Sequence, residues 1–177
     1  VIDTDGDGLG DVEEAGYGTN ADLADTDGDG YLDGLELRNT YDPLDPRPIK
    51  LEKRVEIDRK RQDLTYSVGP YVMRVERAST GKPRTPTPIG TYRITAKRPR
   101  AWSSNARLWM PWWLNFTGPR APPGLYAIHE LPEWPSGKKE GADHLGKPVS
   151  GGCVRLGVGP AKALYDWADI GTAVVIR

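Results

Sequence analysis

The stretch PVSGGCVRL, Pro148 to Leu156, contains the only cysteine of the 177-residue chain. Two glycines precede Cys153, and Arg155 follows it two residues later. A single cysteine cannot form an internal disulfide, so Cys153 is either a small buried apolar residue or a reactive thiol. A free thiol is mostly protonated at neutral pH, so a nucleophilic cysteine needs a base or a cation nearby.

The candidate base is one of two histidines. His129 ends the apolar stretch GLYAIH, Gly124 to His129, which is typical of a strand that would hold the imidazole ring in place. His144 lies in the polar segment EGADHLGKP, which we expect to be mobile. We therefore predict His129 as the base. The alternative is a hydrogen-bonded histidine at the end of a strand, with no chemical role.

The segments around these residues predict a mainly β domain. Apolar and polar residues alternate in Val55–Asp58 and Leu64–Val68, and glycine and proline turns separate the strand patterns. One late helix is predicted at residues 160–169, with Pro160 in its first turn, and the chain closes on the strand TAVVIR. Many short strands with one late helix indicate a β-sandwich or a barrel-like domain.

The N-terminal segment contains two acidic repeats, DTDGDGLGDVEE from Asp3 and DTDGDGYLDGLE from Asp25. Each matches the twelve-residue calcium loop of an EF-hand, with oxygen ligands at positions one, three, five, seven, nine and twelve. The predicted ligands in the first loop are Asp3, Asp5, Asp7, the carbonyl of Leu9, Asp11 and Glu14. In the second loop they are Asp25, Asp27, Asp29, the carbonyl of Tyr31, Asp33 and Glu36.

The segments that follow the loops are too short for the long helices of an ordinary EF-hand. The arm therefore resembles the thrombospondin type 3 and dockerin-like calcium repeats of secreted proteins. The resemblance implies structural Ca²⁺ of low affinity and an environment outside the cytoplasm. We expect no calcium in the catalytic step. The alternative is a disordered acidic tail, because so many carboxylates repel one another without a cation.

Charge divides the chain at the same place. Residues 1–46 carry a net charge of −13, and residues 47–177 carry +12. We predict a calcium-binding arm at 1–46, a proline-rich linker at 47–50 and a second domain at 51–177. The basic domain suits a polyanion, but no nucleic-acid motif is present, so a carboxylate-rich cell wall is the better partner. No apolar run is long enough for a membrane helix.

The order of motifs in the basic domain resembles the YkuD-type L,D-transpeptidase family from about Leu51 to Arg177. A histidine, a variable stretch and Ser-x-Gly-Cys-Val-Arg form the signature, carried here by His129, Ser150, Gly152, Cys153 and Arg155. The turn TPTPIGTY and the final helix and strand follow the same order.

The resemblance implies a bacterial, extracytoplasmic cysteine transpeptidase that acts on peptidoglycan stem tetrapeptides through a thioester. An amine acceptor gives a 3→3 cross-link, and water gives L,D-carboxypeptidase activity. Carbapenem β-lactams are the implied inhibitors. The implied catalytic residues are Cys153 as nucleophile and His129 as general base and acid, and the N–H groups of Gly152 and Cys153 are the implied oxyanion donors. The implied substrate-binding residues are Arg155, Ser150, Tyr126 and Trp134.

The sequence departs from the family in three places. Gly151, which we also count among the implied catalytic residues, stands where many members have a second histidine that helps to orient the catalytic pair, so a backbone carbonyl is expected to take that role. Glu130 follows His129 where glycine is usual, and we expect its carboxylate to face solvent. The segment between His129 and Cys153 is long, which suggests either a flap that carries Trp134 or an ordinary surface loop.

Two other functions compete with this interpretation. A sortase-like transpeptidase also has the order histidine, cysteine, arginine, but its Thr-Leu-x-Thr-Cys stretch is absent. A non-catalytic, calcium-stabilised wall-binding module would leave Cys153 inert. Papain-like peptidases are less suitable, because their cysteine precedes their histidine.

Overall fold

The computed structural model describes residues 2–177. The elements, in chain order, are α1 Asp11–Tyr17, α2 Asp33–Arg38, β1 Lys53–Asp58, β2 Asp63–Val68, β3 Tyr71–Ser79, β4 Gly90–Ser103, β5 Leu108–Thr117, β6 Ala127–Glu130, a 3₁₀ turn Ala142–His144, β7 Val154–Leu156, α3 Pro160–Trp167 and β8 Ala173–Ile176. None of the helices in the described residues is long and apolar enough to cross a membrane.

The chain divides into two compact units. The first contains Val1–Lys53 together with Ser67–Met73, the tip of the β2–β3 hairpin. The second contains Arg54–Tyr66 and Arg74–Arg177. In the first unit, the rings of Tyr17 and Tyr71 meet edge-on at 5.7 Å, and the Tyr71 hydroxyl donates to Asp42 at 2.5 Å.

The eight strands form a closed barrel in the order β1-β2-β3-β7-β6-β5-β4-β8. Closure comes from β8, which pairs in parallel with β1 and antiparallel with β4. The expected mainly β fold with one late helix is confirmed, and of the two predicted arrangements the barrel is the one present. Strand β6 is shorter than the sequence pattern indicated, because it begins at Ala127 and not at Gly124.

The barrel core follows the alternation of the strands. In β1, Val55 and Ile57 are fully buried, while Glu56 between them is half-buried. Helix α3 covers the barrel beside β5, β6 and β7, and its Leu164 is fully buried. Below this helix, β6 and β7 run in parallel with Ile128 opposite Val154, and both side chains are buried. This pairing fixes the residues on either side of it, which include His129 and Cys153.

Candidate functional site

A buried threonine, Thr87, holds the loop that carries Cys153 through a hydrogen bond to its backbone. The Gly81 N–H donates to Thr87 Oγ1 at 2.9 Å, and that hydroxyl donates to the Gly152 carbonyl at 2.8 Å. Thr87 is fully buried, so this bridge is shielded from water. Thr87 belongs to the TPTPIGTY turn, which therefore positions the cysteine loop.

Ser150 closes the loop from inside. Its Oγ donates to the Cys153 carbonyl and accepts the Gly152 N–H at 3.1 Å. Ser150 is buried, with 1% of its surface exposed. Two expectations are corrected here. Ser150 braces the loop and does not face a substrate, and the Gly152 N–H is bonded to Ser150 and is not free to stabilise an oxyanion.

The two glycines before the thiol differ in what surrounds them. Gly152 has φ +128°, and a Cβ there would lie 2.9 Å from Cε1 of Tyr126. Tyr126 thus packs directly against the Gly152 backbone, where only glycine fits. Gly151 is exposed, and a Cβ there would have no neighbour within 4 Å.

The Cys153 thiol opens on a groove and lies among backbone groups. Its S–H donates to the Leu125 carbonyl at 3.8 Å. Burial raises the pKa of the thiol above its ordinary value, and the Ala127 N–H and the charge of Arg155 offset only part of that rise. The resting group is therefore a thiol, which needs a base to become nucleophilic.

His129 is buried as a neutral imidazole, and one of its two ring nitrogens is hydrogen-bonded to the backbone. Its Nδ1 lies 2.6 Å from the Glu130 carbonyl, which can only accept, so Nδ1 carries the proton and Nε2 is left with a lone pair. Burial lowers the pKa of His129 to about 4. Trp113 stacks on the ring at 5.6 Å and 19°. A backbone carbonyl was expected to orient the catalytic pair, and the carbonyl bonded to His129 is that of Glu130.

Strand register places the thiol and the imidazole on one face. Because Ile128 pairs with Val154 in the buried row, His129 and Cys153 both point away from that row on adjacent strands. Arg155, opposite His129, lies close enough for its charge to lower the pKa of both groups. A histidine with a free nitrogen and a protonated thiol are thus neighbours beside one cation.

The segment between His129 and Cys153 is attached to the barrel by charged side chains. Arg155 contacts Nδ1 of His144 at 3.3 Å and lies 4.0 Å from the Glu140 carboxylate. Glu130 is buried and pairs with Lys139 at 2.6 Å, so the expectation that its carboxylate faces solvent was wrong. His144 belongs to this network and not to an unattached loop. The side chain of Trp134 is 44% exposed.

The groove in front of Cys153 has a volume of about 730 Å³ and runs along β4 and β5. Trp113, Met110 and Leu125 supply apolar surface, and Asn115 is among the polar lining residues. None of the four predicted substrate-binding residues lines this groove; these are Arg155, Ser150, Tyr126 and Trp134.

Asn115 is a residue that the sequence analysis missed. It is buried, donates from Nδ2 to the Tyr126 carbonyl at 2.6 Å and accepts the Gly124 N–H at 3.3 Å. These bonds hold the segment whose Leu125 carbonyl contacts the thiol. An asparagine in the aromatic stretch LWMPWWLNF was the only available signal, and it pointed to no role by itself.

The model of the YkuD family, described as "L,D-transpeptidase catalytic domain", matches residues 52–176. The chain belongs to this family. No curated protein sequence matches the chain.

Solved structures similar to this YkuD chain share its fold. An L,D-transpeptidase from Mycobacterium smegmatis is 26% identical with a TM-score of 0.61, over 72% of this chain and 59% of that one. An L,D-transpeptidase from Xylanimonas cellulosilytica is 28% identical with a TM-score of 0.56, over 74% of this chain and 64% of that one. L,D-transpeptidase 3 from Mycobacterium tuberculosis, in complex with a faropenem-derived adduct, is 22% identical with a TM-score of 0.59, over 72% and 61%. The match thus spans about three-fifths of each relative.

Outside the YkuD domain, each acidic loop gathers three carboxylates. Ligand atoms of Asp3, Asp5 and Asp7 lie within 4.8 Å of one another, and so do those of Asp25, Asp27 and Asp29. The loops fold alike, since the first aspartate of each accepts two glycine N–H groups, at 2.8 and 3.2 Å in the first loop and 2.8 Å twice in the second. The N–H groups of Leu9 and Tyr31 donate to the third aspartate of their loops.

The aspartates at loop position nine accept hydrogen bonds from the threonine near the start of their own loop. Asp11 accepts both the N–H and the hydroxyl of Thr4, each at 2.9 Å. Asp33 accepts the same two groups of Thr26 at 2.8 and 2.6 Å. These carboxylates hold the start of each loop and are not among the two three-aspartate clusters, and their role as calcium ligands stays a prediction.

The glutamates at position twelve are buried with an oxygen that has no partner among the described residues. Oε2 of Glu14 and Oε2 of Glu36 make no hydrogen bond, and the same holds for Oδ2 of Asp5 and of Asp27. Glu14 is 0% exposed and Glu36 5%. Burial, reinforced by the neighbouring aspartates, raises the pKa of Glu14, and it raises that of Glu36 to about 7. A buried carboxylate oxygen without a donor is costly unless a cation binds it.

Proposed function

We propose that this chain is a bacterial L,D-transpeptidase that acts outside the cytoplasm on peptidoglycan stem tetrapeptides. The observation that carries the proposal is the placement of a protonated thiol and a neutral, oriented histidine on one face of adjacent strands. Family membership supports the reaction class, and the groove in front of Cys153 has a volume suited to a peptide.

In the proposed first half-reaction, Nε2 of His129 takes the thiol proton as Cys153 Sγ attacks the carbonyl between stem residues three and four. The C–N bond then breaks, His129 returns the proton to the leaving D-Ala amine, and a thioester remains on Cys153. Because Nδ1 is held by the Glu130 carbonyl, the same nitrogen serves both proton transfers. The Cys153 N–H is the remaining backbone candidate for the oxyanion.

In the second half-reaction, an amine from another stem attacks the thioester, and His129 accepts its proton and returns it to the sulfur. The product is a 3→3 cross-link. Water in place of the amine gives a trimmed tripeptide, the carboxypeptidase outcome. Two similar structures were solved with imipenem and with a faropenem-derived adduct, which supports β-lactams of these kinds, carbapenems included, as inhibitors that acylate Cys153.

Mass spectrometry of the products from purified tetrapeptides tests this function. The native protein should release D-Ala and give cross-linked dimers or tripeptides, and Cys153→Ala should give neither, a loss of at least about 1,000-fold. If the native protein leaves tetrapeptides unchanged and its thiol resists alkylation until it is unfolded, the wall-binding alternative replaces this proposal. The product ratio distinguishes amine from water as acceptor.

We also propose that residues 1–46 bind structural Ca²⁺, one ion in each acidic loop. The observation that favours this is the pair of buried glutamate oxygens without a donor, each beside three clustered aspartates. Carboxylate oxygens are the ligands that Ca²⁺ prefers, and a bidentate glutamate completes such a loop. Isothermal titration should detect two ions per chain at up to millimolar calcium; no heat above that of dilution would exclude the sites.

A further inference from the structure

The groove in front of Cys153 contains one charged side chain. Its lining is otherwise apolar or uncharged, and Arg98 on β4 is the exception. Arg98 is exposed, so its guanidinium is accessible from the groove. A single cation in a groove whose other lining residues are uncharged attracts a carboxylate more selectively than a cation on an open, mixed-charge surface.

Arg98 differs from its cationic neighbours on β4, Lys97 and Arg100, whose charged groups each have a hydrogen-bond partner. Arg100 on the same strand pairs with Glu133, and Lys97 donates to the Ala168 carbonyl. Over residues 2–177, the side chain of Arg98 forms no ion pair with a carboxylate and makes no hydrogen bond, while its backbone pairs with Trp113 in the sheet. Its five N–H donors therefore remain available for a ligand, in a fork that fits a carboxylate with two bonds.

The sheet fixes how far this cation lies from the thiol. Ala96, Asn115 and Ala127 are paired across β4, β5 and β6, and Cys153 continues that row beside β7. Three strand spacings separate Ala96 from Cys153, about 14 Å along the sheet. Arg98 lies two residues further along β4 on the same face. The side chain spans part of this gap, but a carboxylate adjacent to the scissile bond is too near the sulfur to reach it.

We propose that Arg98 binds a carboxylate of the peptide substrate that lies several bonds from the scissile carbonyl. This inference rests on the proposed function and specifies which substrates the groove accepts. Arg98 is a substrate-binding residue here, and it contributes to recognition without taking part in the bond changes at Cys153. The sources of such a carboxylate are the non-terminal carboxyl groups of the stem peptide, and the experiment tells them apart.

Peptide binding is measured in the Cys153→Ala background, where no turnover interferes. The ligands are an unmodified tetrapeptide and versions in which one carboxylate at a time, non-terminal or terminal, is a carboxamide. Arg98→Gln should weaken binding of the unmodified peptide about 10- to 100-fold. Amidation of one particular non-terminal carboxylate should weaken peptide binding to the Cys153→Ala parent by the same factor. The same amidation should leave binding to Arg98→Gln unchanged. Arg74→Gln, an exposed arginine on β3 outside the groove, is the matched control.

Three results overturn the inference. In the first, Arg98→Gln binds every peptide with the affinity of the parent. In the second, Arg98→Gln lowers the affinity for all amidated and unmodified peptides by the same factor. In the third, amidation of the terminal carboxylate is the change whose effect disappears in Arg98→Gln. The proposed function fails in a different way, when native protein binds the tetrapeptide and forms no product. If native protein forms product and Arg98→Gln has an unchanged kcat/KM, only the inference about Arg98 falls.

Discussion

The cysteine loop and the acidic loops differ in how their polar groups are satisfied. Around Cys153, Ser150, Thr87 and Asn115 supply hydrogen bonds to the loop and its neighbours, so the geometry is complete within the chain. In the acidic loops, Glu14 and Glu36 are buried with an oxygen that no group of the described residues meets. The first is a preorganised site, and we propose that Ca²⁺ from solution completes the second.

Among the predictions that compare these two regions, the largest expected effect is on the calcium affinity of the acidic loops. Glu36→Gln should lower the calcium affinity of the second loop about 100-fold, because it removes the closing carboxylate. Asp22→Asn makes the same charge change in the arm outside both clusters and should leave the affinity within about twofold. Isothermal titration measures both. Equal affinities for the two variants would show that Glu36 is not a ligand.

The pH dependence sharpens the same point. The pKa of Glu36 is raised to about 7 without a cation, so its contribution to arm stability is present at acidic pH and is lost as pH rises through 7. Calcium binds the ionised form, so its affinity should fall by up to about tenfold per pH unit below 7. Adding calcium at pH 8 should therefore stabilise residues 1–46, measured by hydrogen exchange, more than adding it at pH 6. A flat dependence would contradict this assignment.

Alanine substitutions at Gly152 and Gly151 test whether the cysteine loop is preorganised, as its hydrogen bonds indicate. Gly152→Ala places a Cβ at φ +128° and 2.9 Å from Tyr126, which should cost about 1–3 kcal/mol of unfolding free energy and slow acylation. Gly151→Ala meets nothing within 4 Å and should change stability by at most about 0.5 kcal/mol. Tryptophan fluorescence in urea reports the barrel unit alone, because all six tryptophans lie there. Similar losses in the two variants would mean that the loop adapts.

The sequence predicted the parts of this comparison that depend on periodicity and short-range spacing. Alternation in Val55–Asp58 gave a strand, and the twofold repeat of aspartates gave the two clusters. It missed what depends on which backbone groups meet in space. The contact of His129 with the Glu130 carbonyl and that of the Gly152 N–H with Ser150 join residues one or two positions apart, and their geometry depends on the local backbone conformation, which no side-chain pattern records.

Trp113 and Asn115 show the same limit. The aromatic stretch favours core packing, and Trp113 is indeed 8% exposed, but its face also stacks on His129. One buried residue thus serves packing and catalytic geometry together. Sequence identifies a residue type suited to burial, whereas the register across β5 and β6 determines that this tryptophan lies against this histidine.

The smallest expected effect separates burial from charge as the cause of the low pKa of His129. Burial is the larger cause and Arg155 the smaller, so the acid limb of kcat/KM should lie near pH 4 and rise by about half a pH unit in Arg155→Gln. Because only the neutral imidazole is favoured in the fold, barrel stability should be full above about pH 6.5 and decline as pH falls toward 4. Arg74→Gln removes the same charge elsewhere and should leave the limb in place. An acid limb near 6.5 in the parent protein would mean that His129 is solvated during turnover, and the cysteine loop would then be less complete without its substrate than its contacts indicate.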